Sequence, residues 1–164
     1  MSSRTPYKVL CVCLGNICRS PLAEGVVRRL ADRAGMNACI EVDSAGTLAY
    51  HAGEQPDPRA KKVAASRGYD LSGMRARRVA EDDFSHFDLV LAMDKQNLAA
   101  MERVCPEEYL HKLGLFMEYA ENPECDEIPD PYYGGPDGFE RVLDMCEAAA
   151  CGLIASIAGP GKRR

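Results

Sequence analysis

Cys13 and Arg19 stand at the two ends of one short segment, Cys13-Leu14-Gly15-Asn16-Ile17-Cys18-Arg19, and only five residues separate them. A thiolate is a strong nucleophile. A guanidinium forks two oxygens of a phosphoryl group in a planar way that lysine does not reproduce. The flanking residues say how such a pair would be held. An apolar run, Val9-Leu10-Cys11-Val12-Cys13-Leu14, suits the end of a buried strand, and Gly15-Asn16 tolerate left-handed backbone. Ser20 suits a helix N-cap, with Pro21 at the first helical position, where its missing N–H costs nothing. A strand, a tight loop and a helix in succession gather backbone N–H groups into one concavity, with the positive end of the helix behind them. The expected object is a cup for a dianionic tetrahedral ligand, with Cys13 as a nucleophile toward phosphorus in a field that favours the thiolate.

The rest of the chain supplies elements able to carry that cup. Tyr7 to Cys13 reads as the first strand. Leu22, Ala23, Val26, Val27, Leu30, Ala31 and Ala34 recur at helical spacing, with Gly35 placed to end the helix. Residues 40–43 read as a second short strand leading into Ser44. Residues 48–56 read as a loop, and Asp57-Pro58 caps a helix that ends at Gly68. Residues 87–93 form an almost unbroken apolar run of the kind found in parallel sheets covered on both faces, and Asp94 follows at its carboxyl end. A helix is expected over 95–104, a fourth strand over 110–115, a carboxylate-rich loop to 130 and a last amphipathic helix over about 138–158. Alternating strands and helices predict an α/β fold, a single three-layer α/β/α domain with a parallel sheet and right-handed crossovers. In such sheets ligands sit beyond the carboxyl ends of the strands, so the Cys13 loop and Asp94 are expected to share one crevice.

Composition narrows the function classes. The 164 residues suit one domain, with 46% hydrophobic and 27% charged residues. No apolar run near the N-terminus is long enough to span a membrane or resembles a signal peptide, so a cytoplasmic protein with reduced thiols is expected, without a membrane partner. The net charge of −5 is uneven: residues 1–80 carry 13 basic and 7 acidic side chains, and residues 81–164 carry 7 and 18. The half with the cup is thus the electropositive one, which would draw in phosphorylated ligands. The basic residues are not interleaved with aromatics and match no nucleic-acid motif, so no nucleic-acid partner is expected. Cys11, Cys13 and Cys18 do not follow a zinc-binding spacing, and Arg19 beside them would repel a cation. No metal or cofactor is therefore predicted. His51, His86 and His111 read as surface or structural side chains.

The string Cys13-Leu14-Gly15-Asn16-Ile17-Cys18-Arg19-Ser20-Pro21 resembles the phosphate-binding loop of the low-molecular-weight protein tyrosine phosphatases, and similarity extends from about Tyr7 to about Ile157. The resemblance implies one domain over 7–158 with tails at 1–6 and 159–164, and a four-stranded sheet of order 2-1-3-4. It implies a protein-tyrosine-phosphatase that hydrolyses phosphotyrosine and aryl phosphates through a phosphocysteine, with Cys13 as nucleophile and Arg19 as phosphate clamp. Attack on a phosphate monoester also needs a proton donor for the leaving group. Asp130, in Asp130-Pro131-Tyr132-Tyr133-Gly134, matches the family's general acid, which then acts as base. Leu14, Gly15, Asn16, Ile17 and Cys18 correspond to the loop that wraps the phosphate, and Leu14, Tyr50, Tyr132 and Tyr133 to the walls of the cleft. Ser20, Ser44 and Asp94 look like its supports. Cys18 corresponds to a thiol able to form a reversible disulfide with the nucleophile. Phosphotyrosine proteins or small aryl phosphates are the implied substrates, phosphate or vanadate the implied inhibitors, and a monomer or weak dimer the implied assembly.

One residue departs from the pattern. Many relatives carry a histidine, bonded to the loop asparagine, where this chain has Met74 ahead of Arg75-Ala76-Arg77. A looser Asn16, and slower turnover, is the expectation. Two other readings use the same cup. An arsenate reductase would need further cysteines to pass a disulfide outward, and residues 40–104 contain none. A phosphate-binding module without catalysis would have no use for Asp130.

Overall fold

The computed structural model describes residues 5–121, 125–132 and 136–159. In chain order these form β1 (Tyr7–Cys13), α1 (Arg19–Arg33), β2 (Ile40–Gly46), α2 (Pro58–Ser66), α3 (Glu81–His86), β3 (Leu89–Ala92), α4 (Lys95–Val104), β4 (Leu113–Leu115) and α5 (Pro136–Ala158), with 3-10 turns at Glu107–Lys112 and Phe116–Tyr119. All strand pairs are parallel and their order is β2-β1-β3-β4, as the resemblance implies.

Strand β1 is central because its sequence has no polar face. Successive side chains of a strand point to opposite faces, and here Val9, Cys11 and Cys13 enter one core while Leu10 and Val12 enter the other. The first core is closed by α1, α2 and α5, through Leu22, Val26, Val63, Val142 and Leu153 among others. The second is closed by Phe84 of α3 and Met101 of α4. Strand β3 divides the same way, Leu91 to one side and Val90 and Ala92 to the other. A strand buried on both faces reads as a continuous apolar run, which is why β1 and β3 are the legible strands.

Three expectations change, and one short helix is new. Helix α1 begins at Arg19, flanked by Cys18, so Ser20 lies inside the first turn and is not the N-cap. Its hydroxyl turns to Cys13 and Asn16 instead. Strand β3 is shorter than the apolar run because Phe87 closes α3, its N–H bonding to the Asp83 carbonyl at 3.0 Å. Helix α3 itself falls in a stretch without helical periodicity. It is started by the Asp83 carboxylate, which accepts the Ala80 N–H at 2.7 Å. Strand β4 spans only three residues, since Glu107–Lys112 is a 3-10 turn. Asp57 does cap α2, its Oδ1 accepting the Arg59 N–H at 2.8 Å. No helix of the described residues is long and apolar enough to cross a membrane.

Candidate active site

The loop between β1 and α1 sits at the carboxyl end of the central strand, and four of its carbonyls are turned away from the cavity it encloses. The Cys13, Leu14, Ile17 and Cys18 carbonyls accept the N–H groups of Thr47, Leu48, Asp57 and Leu22 at 2.9, 3.1, 2.8 and 3.2 Å. Among the described residues no acceptor is assigned to the N–H groups of Leu14, Gly15, Ile17, Cys18 and Arg19. All five residues line a cavity of about 220 Å³ together with Cys13, Asp130, Tyr50 and Tyr132. A concavity of unpaired amides at a helix N-terminus is an anion site. Gly46 of β2 lets the loop lie close, because a Cβ there would come within 2.8 Å of the Leu14 carbonyl oxygen.

Cys13 lies at the floor, 2% exposed. Its Sγ accepts the Asn16 N–H at 3.3 Å and lies 3.0 Å from Ser20 Oγ. Asn16 holds a left-handed conformation, φ 62°, in which asparagine is favoured among non-glycine residues. Its side chain is fully engaged: Nδ2 donates to Ser20 Oγ at 2.8 Å and to Ser44 Oγ at 3.0 Å, and Oδ1 accepts the Arg77 N–H at 2.9 Å. The looser Asn16 expected from Met74 is therefore not what the chain builds. Ser44 Oγ donates in turn to Glu24 Oε1 at 2.7 Å, and Glu24 is also paired with Arg28. A connected set runs Glu24, Ser44, Asn16, Ser20, Cys13. Burial pushes the Glu24 carboxyl above its ordinary range, against the hydrogen bonds from Ser44 and Arg28.

Arg19 is 2% exposed and is held from behind. Its Nη1 donates to Asp94 Oδ2 at 2.7 Å and to the Ile128 carbonyl at 3.0 Å. Burial works against its charge, but Cys13, Asp94 and Asp130 outweigh that and raise its pKa above the ordinary value. Ile128 also ties the acid segment to the sheet, its N–H bonding to the Met93 carbonyl at 2.8 Å. Asp130 follows two residues later. Its Oδ1 accepts the Tyr132 N–H at 3.0 Å, and its Oδ2 faces Arg19 Nη2 at 3.7 Å across the cavity. Arg59 braces this segment from the other side, its guanidinium 5.3 Å from the Tyr132 ring centre and 4.8 Å from that of Phe139 while bonded to Asp57. Cys18 lies in the same cup, and burial, with Asp57, Cys13 and Asp130 adding to it, pushes its thiol well above the usual range.

Of the residues singled out from sequence, Cys13, Leu14, Gly15, Ile17, Cys18, Arg19, Tyr50, Asp130 and Tyr132 line the cavity. Asn16, Ser20, Ser44 and Asp94 stand behind it through the bonds above. Tyr133 lies outside the described residues. Leu48 and His51 line the cavity as well. His51, read from sequence as surface or structural, packs beside Gly15 and 4.8 Å from the Tyr50 ring. Glu24, Arg77 and Arg59 are further members with no local signal in the chain.

Fold and loop together define the class: a single-sheet α/β protein whose central strand delivers a thiol into a cup of backbone donors beside a buried arginine. The family model for low molecular weight phosphotyrosine protein phosphatases matches residues 8–162, and the chain belongs to that family. It is 46% identical over 155 residues to the low molecular weight protein-tyrosine-phosphatase of Streptomyces coelicolor, an overlap covering 92% of this chain and 93% of that one. The crystal structure of a protein tyrosine phosphatase from Entamoeba histolytica with Hepes in its active site superposes with a TM-score of 0.90 at 42% identity, covering 93% of this chain and 97% of that one. Vibrio vulnificus Wzb in complex with benzylphosphonate superposes with a TM-score of 0.81 at 28% identity, covering 93% and 99%.

Proposed function

We propose that the chain hydrolyses phosphotyrosine and related aryl phosphate monoesters by two displacements at Cys13, within a catalytic unit spanning residues 7–158. The observation that carries this reading is the cup itself: a Cys13 sulfur bonded to Ser20 and Asn16, ringed by amides without acceptors, with Arg19 and Asp130 3.7 Å apart at its rim. The amides and the Arg19 fork hold the nonbridging oxygens and stabilise the charge that develops on them. The Cys13 thiolate attacks phosphorus, the S–P bond forms and the bond from phosphorus to the phenolic oxygen breaks. Asp130 gives its proton to that oxygen as the phenol leaves. Asp130, now a carboxylate, takes a proton from a water whose oxygen attacks phosphorus. The S–P bond breaks, and inorganic phosphate departs from a thiolate stabilised by the Ser20 hydroxyl.

Leu14, Tyr50 and Tyr132 at the rim suit a flat phenolic group. The Vibrio protein forms a complex with benzylphosphonate, which joins a phenyl ring to a phosphonate, and this supports the same class of ligand. Phosphate and vanadate should compete for the cup, and no metal or cofactor takes part in the steps above. Hydrolysis of 4-nitrophenyl phosphate tests the scheme. Cys13→Ala should abolish turnover, and Asp130→Ala should lower kcat by about 10²–10⁴-fold. Undiminished turnover by the Cys13→Ala protein would sink it.

A further inference from the structure

A second groove, about 700 Å³, opens from the same mouth. It shares Leu14 and Leu48 with the catalytic cavity, and both side chains are exposed, 41% and 49%. From there it runs between α4 and the segment leading into α3. Its floor is Phe84 and Met101, and Val104, 56% exposed, stands at its far side.

Two observations say what the groove is suited to hold. The first is charge. Arg78 and Arg103 both line it, both are exposed, and neither side chain makes an ion pair or hydrogen bond with another of the described residues. Glu81 is the sole acidic lining residue. The second is place: the groove opens from the catalytic cavity at Leu14 and Leu48, so a polypeptide whose aromatic ring stands in the cup can leave along it.

We infer that this groove is a subsite for the polypeptide flanking the phosphotyrosine, selecting an acidic side chain beside an apolar one. The inference rests on the phosphatase reading of the cup. An extended peptide leaving the cavity over Leu14 and Leu48 lays an apolar side chain against Phe84, Met101 and Val104. A neighbouring carboxylate meets Arg78 and Arg103. Pockets for side chains give an extended peptide its specificity, and the electrostatic part discriminates between sequences. A small aryl phosphate fills the cup and meets Leu14 but neither arginine.

The test compares the wild-type protein with the Arg78→Glu/Arg103→Glu double variant on three substrates: 4-nitrophenyl phosphate, a phosphotyrosine peptide flanked by Glu and Leu, and the same peptide flanked by Ala. The wild type should favour the Glu-Leu peptide over the Ala peptide by about fivefold or more in kcat/KM, carried by KM, with the advantage shrinking as salt rises. The double variant should lose that preference while its turnover of 4-nitrophenyl phosphate stays within about twofold, as expected for changes outside the cup. Equal kcat/KM for the two peptides with the wild type, or an undiminished preference in the variant, would overturn the subsite alone. Absence of 4-nitrophenyl phosphate turnover by the wild type would overturn the phosphatase reading and the subsite with it.

Discussion

Arg19 and Asp94 meet through a 2.7 Å hydrogen bond from Nη1 to Oδ2, while the other oxygen of the same carboxylate accepts the Asn97 N–H at 2.7 Å and caps α4. One side chain thus orients the phosphate clamp and starts a helix. The two duties separate by substitution. Asp94→Asn keeps a good N-cap but replaces a charge-assisted bond to Arg19 with a neutral one or none, a loss of about 1.5–3 kcal/mol. Its kcat/KM for an aryl phosphate should fall about 10- to 100-fold with little change in melting temperature. Asp94→Ala should show the same kinetic loss and melt lower, because the cap goes too. Steady-state kinetics beside thermal melts distinguish the two.

Asn16 combines a strained backbone with three side-chain bonds, and these too can be parted. Asn16→Gly relieves the left-handed backbone and removes the bonds. Asn16→Ala removes the bonds and keeps the strain, costing about 1 kcal/mol more. Both should lose kcat, since Ser20 and the loop are no longer positioned, and urea unfolding should rank stability as wild type, glycine, alanine. Equal stability of the two variants would mean that the backbone conformation contributes nothing.

Glu24 gives a pH dependence whose sign follows from its raised pKa. Over the interval between its ordinary value, about 4.3, and its higher folded value, the folded chain holds a proton that the unfolded chain has lost. Stability from this group is complete below the ordinary value and declines as pH rises through the folded one. Glu24→Gln has no such proton. The melting temperature of the variant minus that of wild type should therefore climb with pH across that interval, and a flat difference would contradict it.

Cys13 and Cys18 share one cup, yet the Cys18 thiol is held neutral by burial and by the negative charge of Asp57, Cys13 and Asp130. Iodoacetate reacts with thiolates. Mass spectrometry after brief treatment near neutral pH should find the cup labelled at Cys13 and not at Cys18, with phosphate protecting Cys13. The exposed thiols of Cys39 and Cys151 serve as internal controls that phosphate leaves unprotected.

What was legible in the chain was what is local in it. Strand, loop and helix N-terminus around Cys13 and Arg19 are contiguous, so their chemistry and their geometry are written side by side. Asp130 is remote, and only the resemblance to a family pattern pairs it with the loop. Glu24, Arg77 and Asn97 carried no signal: Glu24 reads as one charge on an amphipathic helix, the Arg77 N–H reaches Asn16 across 61 residues, and Asn97 lies within the first turn of a helix. Met74 misled for a related reason. The absence of a histidine is visible in sequence, but the backbone N–H of Arg77 that bonds to Asn16 Oδ1 is common to every residue type except proline and so leaves no trace in it.

The outward-turned carbonyls of the loop have a consequence for what the protein can mistake for its substrate. Apart from the Cys13 sulfur and the Asp130 carboxylate on the leaving-group side, the groups that meet the phosphoryl oxygens are N–H donors, so each proton carried by those oxygens forfeits a bond and meets a donor head-on. The cup therefore sorts by protonation state as much as by shape. A monoester that has shed its second proton, which phosphotyrosine does near pH ~6, fits every donor, and its singly protonated form does not. Tetrahedral oxyanions of equal charge will be taken for product, while neutral esters and amides of the same outline will be left in solution.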